Sequence, residues 1–140
     1  QSKELVKINT SQFGEIEIEE KYIFHFEEGL FGFEDIKKYV LVADEETAPF
    51  KWLISVENPN IGFPMLNPWI VDLNYAINKQ YDIDREAVLV IITLGGEHGL
   101  ITANMKAPVI LDIPNQKGRQ LILPSEKYST VYVIKTDGVK

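Results

Sequence analysis

The chain has 140 residues, with 45% hydrophobic and 25% charged residues, a composition that excludes a disordered polymer and can fill one core. It has no cysteine, which excludes disulfide staples, thiol catalysis and cysteine-based zinc sites together and fits a reducing compartment. Its formal net charge is −7, and all of it lies in the first third: residues 1–50 hold 12 acids against 5 lysines, whereas residues 51–140 hold 9 of each sign.

In chain order, no basic-then-apolar signal opens the sequence, and Gln1 in place of an initiator Met leads us to expect a trimmed chain. A short run at Leu5 to Ile8 precedes Gly14-Glu15-Ile16-Glu17-Ile18-Glu19, which alternates apolar and acidic residues. A period of two marks a strand with one buried and one wet face, and it turns Glu15, Glu17 and Glu19 outward together. The two runs are expected to pair. Strands follow at Tyr22 to Phe26, Lys38 to Ala43 and Lys51 to Val56, with a single turn after Gly32 around Phe33 to Lys37. Asp72 is placed to cap a helix in which Leu73, Ala76, Ile77 and Tyr81 share one face. The β-branched run Ala87 to Leu94 reads as a fully buried strand. Gly95, Gly96 and Gly99 turn it into Leu100 to Met105, making a hairpin. Val109 to Ile113, Arg119 to Leu123 and Thr130 to Ile134 complete the set, punctuated by Pro114 and Pro124. The fold class expected is mostly β: a small antiparallel β-barrel of about ten short strands with one or two short helices, forming a single domain over residues 1–140. No apolar run approaches the roughly 20 residues of a membrane-spanning helix.

The motifs of catalysis are missing. His25 sits within a strand, as a half-buried or edge side chain, and His98 in the glycine-rich turn, exposed; neither has the spacing of a nucleophilic triad or an HExxH zinc site. The acidic dipeptides Glu19-Glu20, Glu27-Glu28, Glu34-Asp35 and Glu45-Glu46 place neighbours on opposite faces, which is wrong for two carboxyls facing across a glycosidase cleft. The turn at Gly95 to Gly99 precedes a strand and carries no Lys-Ser/Thr, so it is no phosphate cradle. No cofactor and no metal are expected. An acidic field repels nucleic acid and draws basic partners; equally, the acids serve solubility.

Two stretches stand out. Phe26 to Asp35 packs three Phe, one Leu, two Gly and four acids into a loop. Its apolar side chains either plug an end of the barrel or form an aromatic anchor ringed by acids, suited to a basic amphipathic partner. In Phe63 to Trp69, Pro64 and Pro68 fit poorly in a central strand and mark an edge or loop.

Several blocks resemble the flagellar assembly factor FliW family: Phe13-Gly14-Glu15-Ile16 with Phe26 to Glu34; Phe50-Lys51-Trp52-Leu53 with Ser55, Pro59 and Phe63 to Pro68; and Thr102 to Ile110 with Gly118, Arg119 and Gln120. The blocks span about residues 8 to 123 in the family's order. Glu27 stands where the family usually has Pro, Ile54 where it often has Gln, Met105 for a common Leu and Asp112 for a common Asn. The resemblance implies a small β-barrel regulator in the bacterial cytoplasm, without catalysis, that binds the translational repressor CsrA and so relieves repression of flagellin messenger RNA. It favours a non-competitive mechanism over direct cover of the RNA site. It also implies flagellin as a second partner, and no direct contact with nucleic acid or membrane. The contact residues expected are Glu27, Glu28, Glu34 and Asp35, with Leu30, Phe31 and Phe33 as apolar support, and Glu15, Glu17 and Glu19 next. The alternatives are a flagellin-specific chaperone that binds no regulator, and a carbohydrate-binding or hydrolytic β domain using Trp52 or Trp69 as a stacking platform.

Overall fold

The computed structural model describes residues 4–77, 81–95 and 99–134. The strands are β1 (Leu5–Thr10), β2 (Gly14–Glu19), β3 (Ile23–Phe26), β4 (Lys38–Ala43), β5 (Lys51–Ser55), β6 (Gly62–Leu66), β7 (Glu86–Thr93), β8 (Thr102–Ala103), β9 (Val109–Asp112), β10 (Lys117–Gln120) and β11 (Tyr132–Val133). A four-residue helix, α1 (Pro68–Val71), and two 3-10 turns at Glu20–Tyr22 and Glu45–Thr47 complete the elements. The ladder runs β7-β6-β5-β4-β3-β10-β9 and closes on itself because β9 also pairs with β7, Leu89 opposite Val109 and Glu86 opposite Asp112. Seven strands thus form a closed barrel, with β8 and β11 extending beyond β7 as a flap.

Because strand side chains alternate, each wall has two faces to bury. The inward residues make one core: Phe24 and Phe26, Tyr39, Leu53, Met65, Leu89, Val109 and Leu111. Burying each large apolar side chain stabilises the fold by about 1.5–3 kcal/mol. Two outer walls are also apolar and need cover. Over Val40, Val42, Trp52 and Ile54 lies the β1–β2 ribbon, which contributes Val6, Ile8, Phe13, Ile16 and Ile18. The outward faces of β7 and β9 (Val88, Val90, Ile92 and Ile110) are covered by Tyr75, Ile77, Met105, Leu123 and Tyr128. That cover is pinned by polar bonds: the Tyr75 hydroxyl donates to the Met105 carbonyl at 2.6 Å, and the Ala76 amide donates to the Tyr128 hydroxyl at 2.9 Å.

The structure amends several expectations. The barrel is not wholly antiparallel: β10 runs parallel to β3, with Lys117 beside His25 and Gly118 beside Phe26. Gly118 is needed there, since a Cβ would stand 2.2 Å from the Phe26 ring. Residues 62–66 are an interior strand despite Pro64. The Ser55 amide donates to the Ile61 carbonyl, so by antiparallel alternation the Pro64 nitrogen points toward β7. Pairing with β7 starts only at Met65, so the missing N–H leaves no gap in the ladder. The helix expected from Asp72 does not form over 72–77. Asn67 is the actual cap, accepting the Trp69 amide at 2.8 Å, and Pro68 fills the first helical position. Asp72 ends the helix and accepts the Asn74 amide at 2.9 Å, a local turn that competes with helix. Leu73 consequently points out, 86% exposed, while Tyr75 and Ile77 go in. Strand β10 begins two residues before the expected Arg119. The β7–β8 hairpin forms as expected; Gly96 and His98 lie outside the described residues.

Candidate functional site

Among the described residues, one stretch of the barrel wall, beyond Ile23, has no apolar cover. On the outer surface of β3 and β10, His25, Lys117 and Arg119 are exposed, and the loop from Glu27 to Lys37 stands beside them. Two glycines shape that loop, Gly29 at φ +69° and Gly32 at φ +88°, in the left-handed region that costs side-chain-bearing residues most. At Gly29 a Cβ would lie 2.6 Å from the Glu34 Cα, so the loop's two arms touch there. The Phe33 amide donates to the Leu30 carbonyl at 2.7 Å, and the Ile36 amide to the Phe33 carbonyl at 3.1 Å, the single turn expected after Gly32.

The loop is tied to the barrel from both sides. Gln120 on β10 accepts the Phe31 amide at 2.9 Å through Oε1 and donates to the Ala107 carbonyl at 3.0 Å through Nε2. The Lys37 ammonium donates to the Glu27 carbonyl at 2.9 Å. Between loop and wall lies an open groove of about 630 Å³. Glu27, Glu28, Phe31 and Glu34 line one side; His25, Lys117 and Arg119 line the other, with Asp112 at the end.

Three carboxyls at or beside this groove are shifted, and all downward. The Gly32 amide, at 3.1 Å, and the Glu34 amide hold the Glu34 carboxyl below the usual range. Arg119, with a 2.8 Å bond, does the same for Glu86. Asn115 does it for Asp112 through a 2.9 Å side-chain bond. A general acid needs the opposite shift.

The groove gathers Glu27, Glu28, Phe31 and Glu34. Phe31 is 50% exposed, an aromatic ring among acids. Leu30 is 1% exposed and packs with Phe26 and Tyr39 in the inner core, so it holds the loop from beneath and offers no surface to a partner. Phe33, 38% exposed, leans on Phe63 with ring centroids 5.0 Å apart, plugging this end of the barrel. The stretch is thus split by residue: Leu30 and Phe33 pack against the barrel, and Phe31 is left exposed. Asp35 is exposed but outside the groove lining. Glu15, Glu17 and Glu19 sit on the β1–β2 ribbon, opposite Asn9, Lys7 and Leu5, and Glu19 also meets Lys21 at 3.5 Å. They do not line the groove. Trp52 is 8% exposed beneath the ribbon and offers no stacking platform.

The basic side of the groove went unread in the sequence. His25 and Lys117 are 92 positions apart and meet only through the parallel pairing of β3 with β10. No local pattern announces that. His25 is not an edge side chain, because strands flank it on both sides; its side chain is exposed.

Among the described residues no helix is long and apolar enough to cross a membrane. The family model described as "FliW protein" matches residues 7–134. The "Flagellar assembly factor FliW" of Thermosipho africanus is 41% identical, covering 88% of this chain and 91% of that protein. The one of Clostridium tetani is 37% identical, over 92% of this chain and 95% of that protein. A crystal structure of the flagellar assembly factor FliW superposes with a TM-score of 0.82 at 33% identity, over 96% of this chain and all of that one. With the family model spanning nearly the whole barrel and relatives at this identity matched along most of their length, the chain belongs to the FliW family.

Proposed function

We propose that this protein acts in flagellar assembly as a cytoplasmic adhesion module that transforms no substrate. Its partner is a CsrA-type translational repressor, bound along the groove beside β10, and flagellin is a second partner that competes for it. The observation that carries this reading is the pairing of exposed Phe31 with Glu27, Glu28 and Glu34 in one open groove on the only barrel wall left without apolar cover among the described residues. RNA-binding proteins carry basic surface, so acids beside an aromatic anchor give such a partner both steering and a hot spot. The lowered carboxyl pKa values support binding over general acid–base chemistry. Lys117 and Arg119 on the facing side give the groove both signs of charge; the resemblance to the family favours a partner that docks beside its own RNA site and excludes RNA indirectly.

The test is complex formation with a CsrA-type protein by size exclusion and calorimetry over a salt series. Affinity falls with salt, and Glu27→Lys with Glu28→Lys weakens it by about tenfold while Tm stays unchanged, each exposed pair contributing up to about 1 kcal/mol. Salt-independent binding, or full binding by the double variant, refutes the groove assignment. The second reading, a flagellin chaperone without a regulator, draws on the exposed Phe31 and Phe33 rings. A rise in Tm with a flagellin terminal peptide and none with CsrA would establish it instead.

A further inference from the structure

A second cavity, of about 370 Å³, opens at the other end of the barrel, where β4 and β6 finish and β5 and β7 begin. Its floor is the inner core itself: Leu41, Ala87 and Leu89. Its wall is aromatic. The Trp69 and Tyr81 rings stand 6.2 Å apart at 37°, and the Trp69 indole is fixed by a 2.9 Å bond from Nε1 to the Tyr75 carbonyl. The rim holds one charge of each sign, but they are not equivalent. Glu86 is already engaged by Arg119 at 2.8 Å, whereas Lys51 has no ion pair or hydrogen-bond partner for its ammonium among the described residues. A cavity at the small end of the ligand-pocket range, about 300–1,000 Å³, is thus apolar at the bottom and cationic at the mouth, on a chain of net charge −7.

We propose that this cavity binds an alkyl or aryl chain ending in a carboxylate, with the chain on Leu41, Leu89 and Trp69 and the carboxylate at the Lys51 ammonium. Lys51 is exposed, so a carboxylate gains a modest ion pair that a neutral molecule of the same shape does not, and a cation is repelled. Two sources carry this chemistry: a free medium-chain carboxylate, and the C-terminal carboxylate of a peptide ending in apolar residues.

The protein has two tryptophans, so its indole N–H region in a nitrogen–proton correlation spectrum holds two signals. Trp52, under the ribbon on another wall, serves as the internal control. The probes are octanoate with octanol, and acetyl-Leu-Leu with its C-terminal amide. The expected result is a saturable shift of the Trp69 signal, with Trp52 still, up to about fivefold tighter for the acid than for its neutral analogue, the upper end for a solvent-facing ion pair. Lys51→Gln abolishes that preference and Lys51→Arg keeps it. The tighter of the two acids identifies the source. No Trp69 shift with either acid, equal binding of acid and neutral analogue, or a preference that survives in Lys51→Gln overturns the proposal.

Discussion

Gly29→Ala and Gly32→Ala make a matched pair of perturbations in the groove loop. Both glycines lie at positive φ, +69° and +88°, so each alanine incurs the left-handed backbone penalty of about 1–2 kcal/mol. They differ in what surrounds them. Nothing lies within 4 Å of a Cβ at Gly32, whereas one at Gly29 would meet the Glu34 Cα at 2.6 Å and the Glu34 and Phe33 carbonyl oxygens at 2.8 Å. All three are backbone atoms, so no rotamer change relieves the clash and the loop arms must part. Overpacking of that kind costs a further 1–3 kcal/mol, roughly. Gly32→Ala is therefore expected to lose about 1–2 kcal/mol and Gly29→Ala about 2–5 kcal/mol. At about 3 °C per kcal/mol for a domain of this size, the Tm falls separate clearly. Urea unfolding followed by circular dichroism gives both differences directly. Gly29→Ala should also weaken partner binding, because parting the arms moves Phe31 and Glu34. Equal loss of stability in the two variants would refute the reasoning, since the close approach at Gly29 is the difference that should set them apart.

Three other outcomes follow from single groups. The Tyr39 hydroxyl is buried without a hydrogen-bond partner among the described residues, so Tyr39→Phe should raise stability by about 1 kcal/mol in urea unfolding; a loss of that size would show the hydroxyl is bonded. Burial first, and the Glu57 charge second, push the Tyr39 phenol up to about 12. Its ultraviolet titration should therefore begin well above pH 10. The stability linked to it is full below pH 10 and is lost as pH rises toward 12. Arg119→Gln removes the partner of Glu86, whose side chain is only 12% exposed, and should cost about 1 kcal/mol at pH 7. Since the folded Glu86 pKa lies below its ordinary 4.5, that contribution is present above pH 4.5 and fades as pH falls through the folded value. Wild type and variant should converge as pH falls below 4.5, and a difference that never narrows across the acid range would refute the ion-pair account.

Much of the fold was legible because strand periodicity is local. The alternation of Gly14 to Glu19 and the β-branched run of β7 set those strands without outside help. The failures have physical causes. Pro64 argued against a central strand, but its nitrogen falls where β7 pairing has not begun. The spacing of Leu73, Ala76, Ile77 and Tyr81 imitated a helix, yet Asp72 and Asn74 formed a turn, and alternate residues Tyr75 and Ile77 went inside. At the site, composition singled out Phe26 to Asp35 but could not sort it. Leu30 and Phe31 are adjacent and chemically alike, and one is buried while the other is half exposed.

The sequence by itself determined most of the strands, the acidic amino-terminal third and the mixed apolar and acidic make-up of the loop after β3, because each is written in neighbouring residues. Only the tertiary structure decided which wall stays bare and what faces that loop. Barrel closure through β7–β9 and β3–β10 joins segments some 20 to 90 positions apart. Which outer face then lacks cover depends on where the ribbon and the later loops find apolar surface to bury, a competition among all the walls at once.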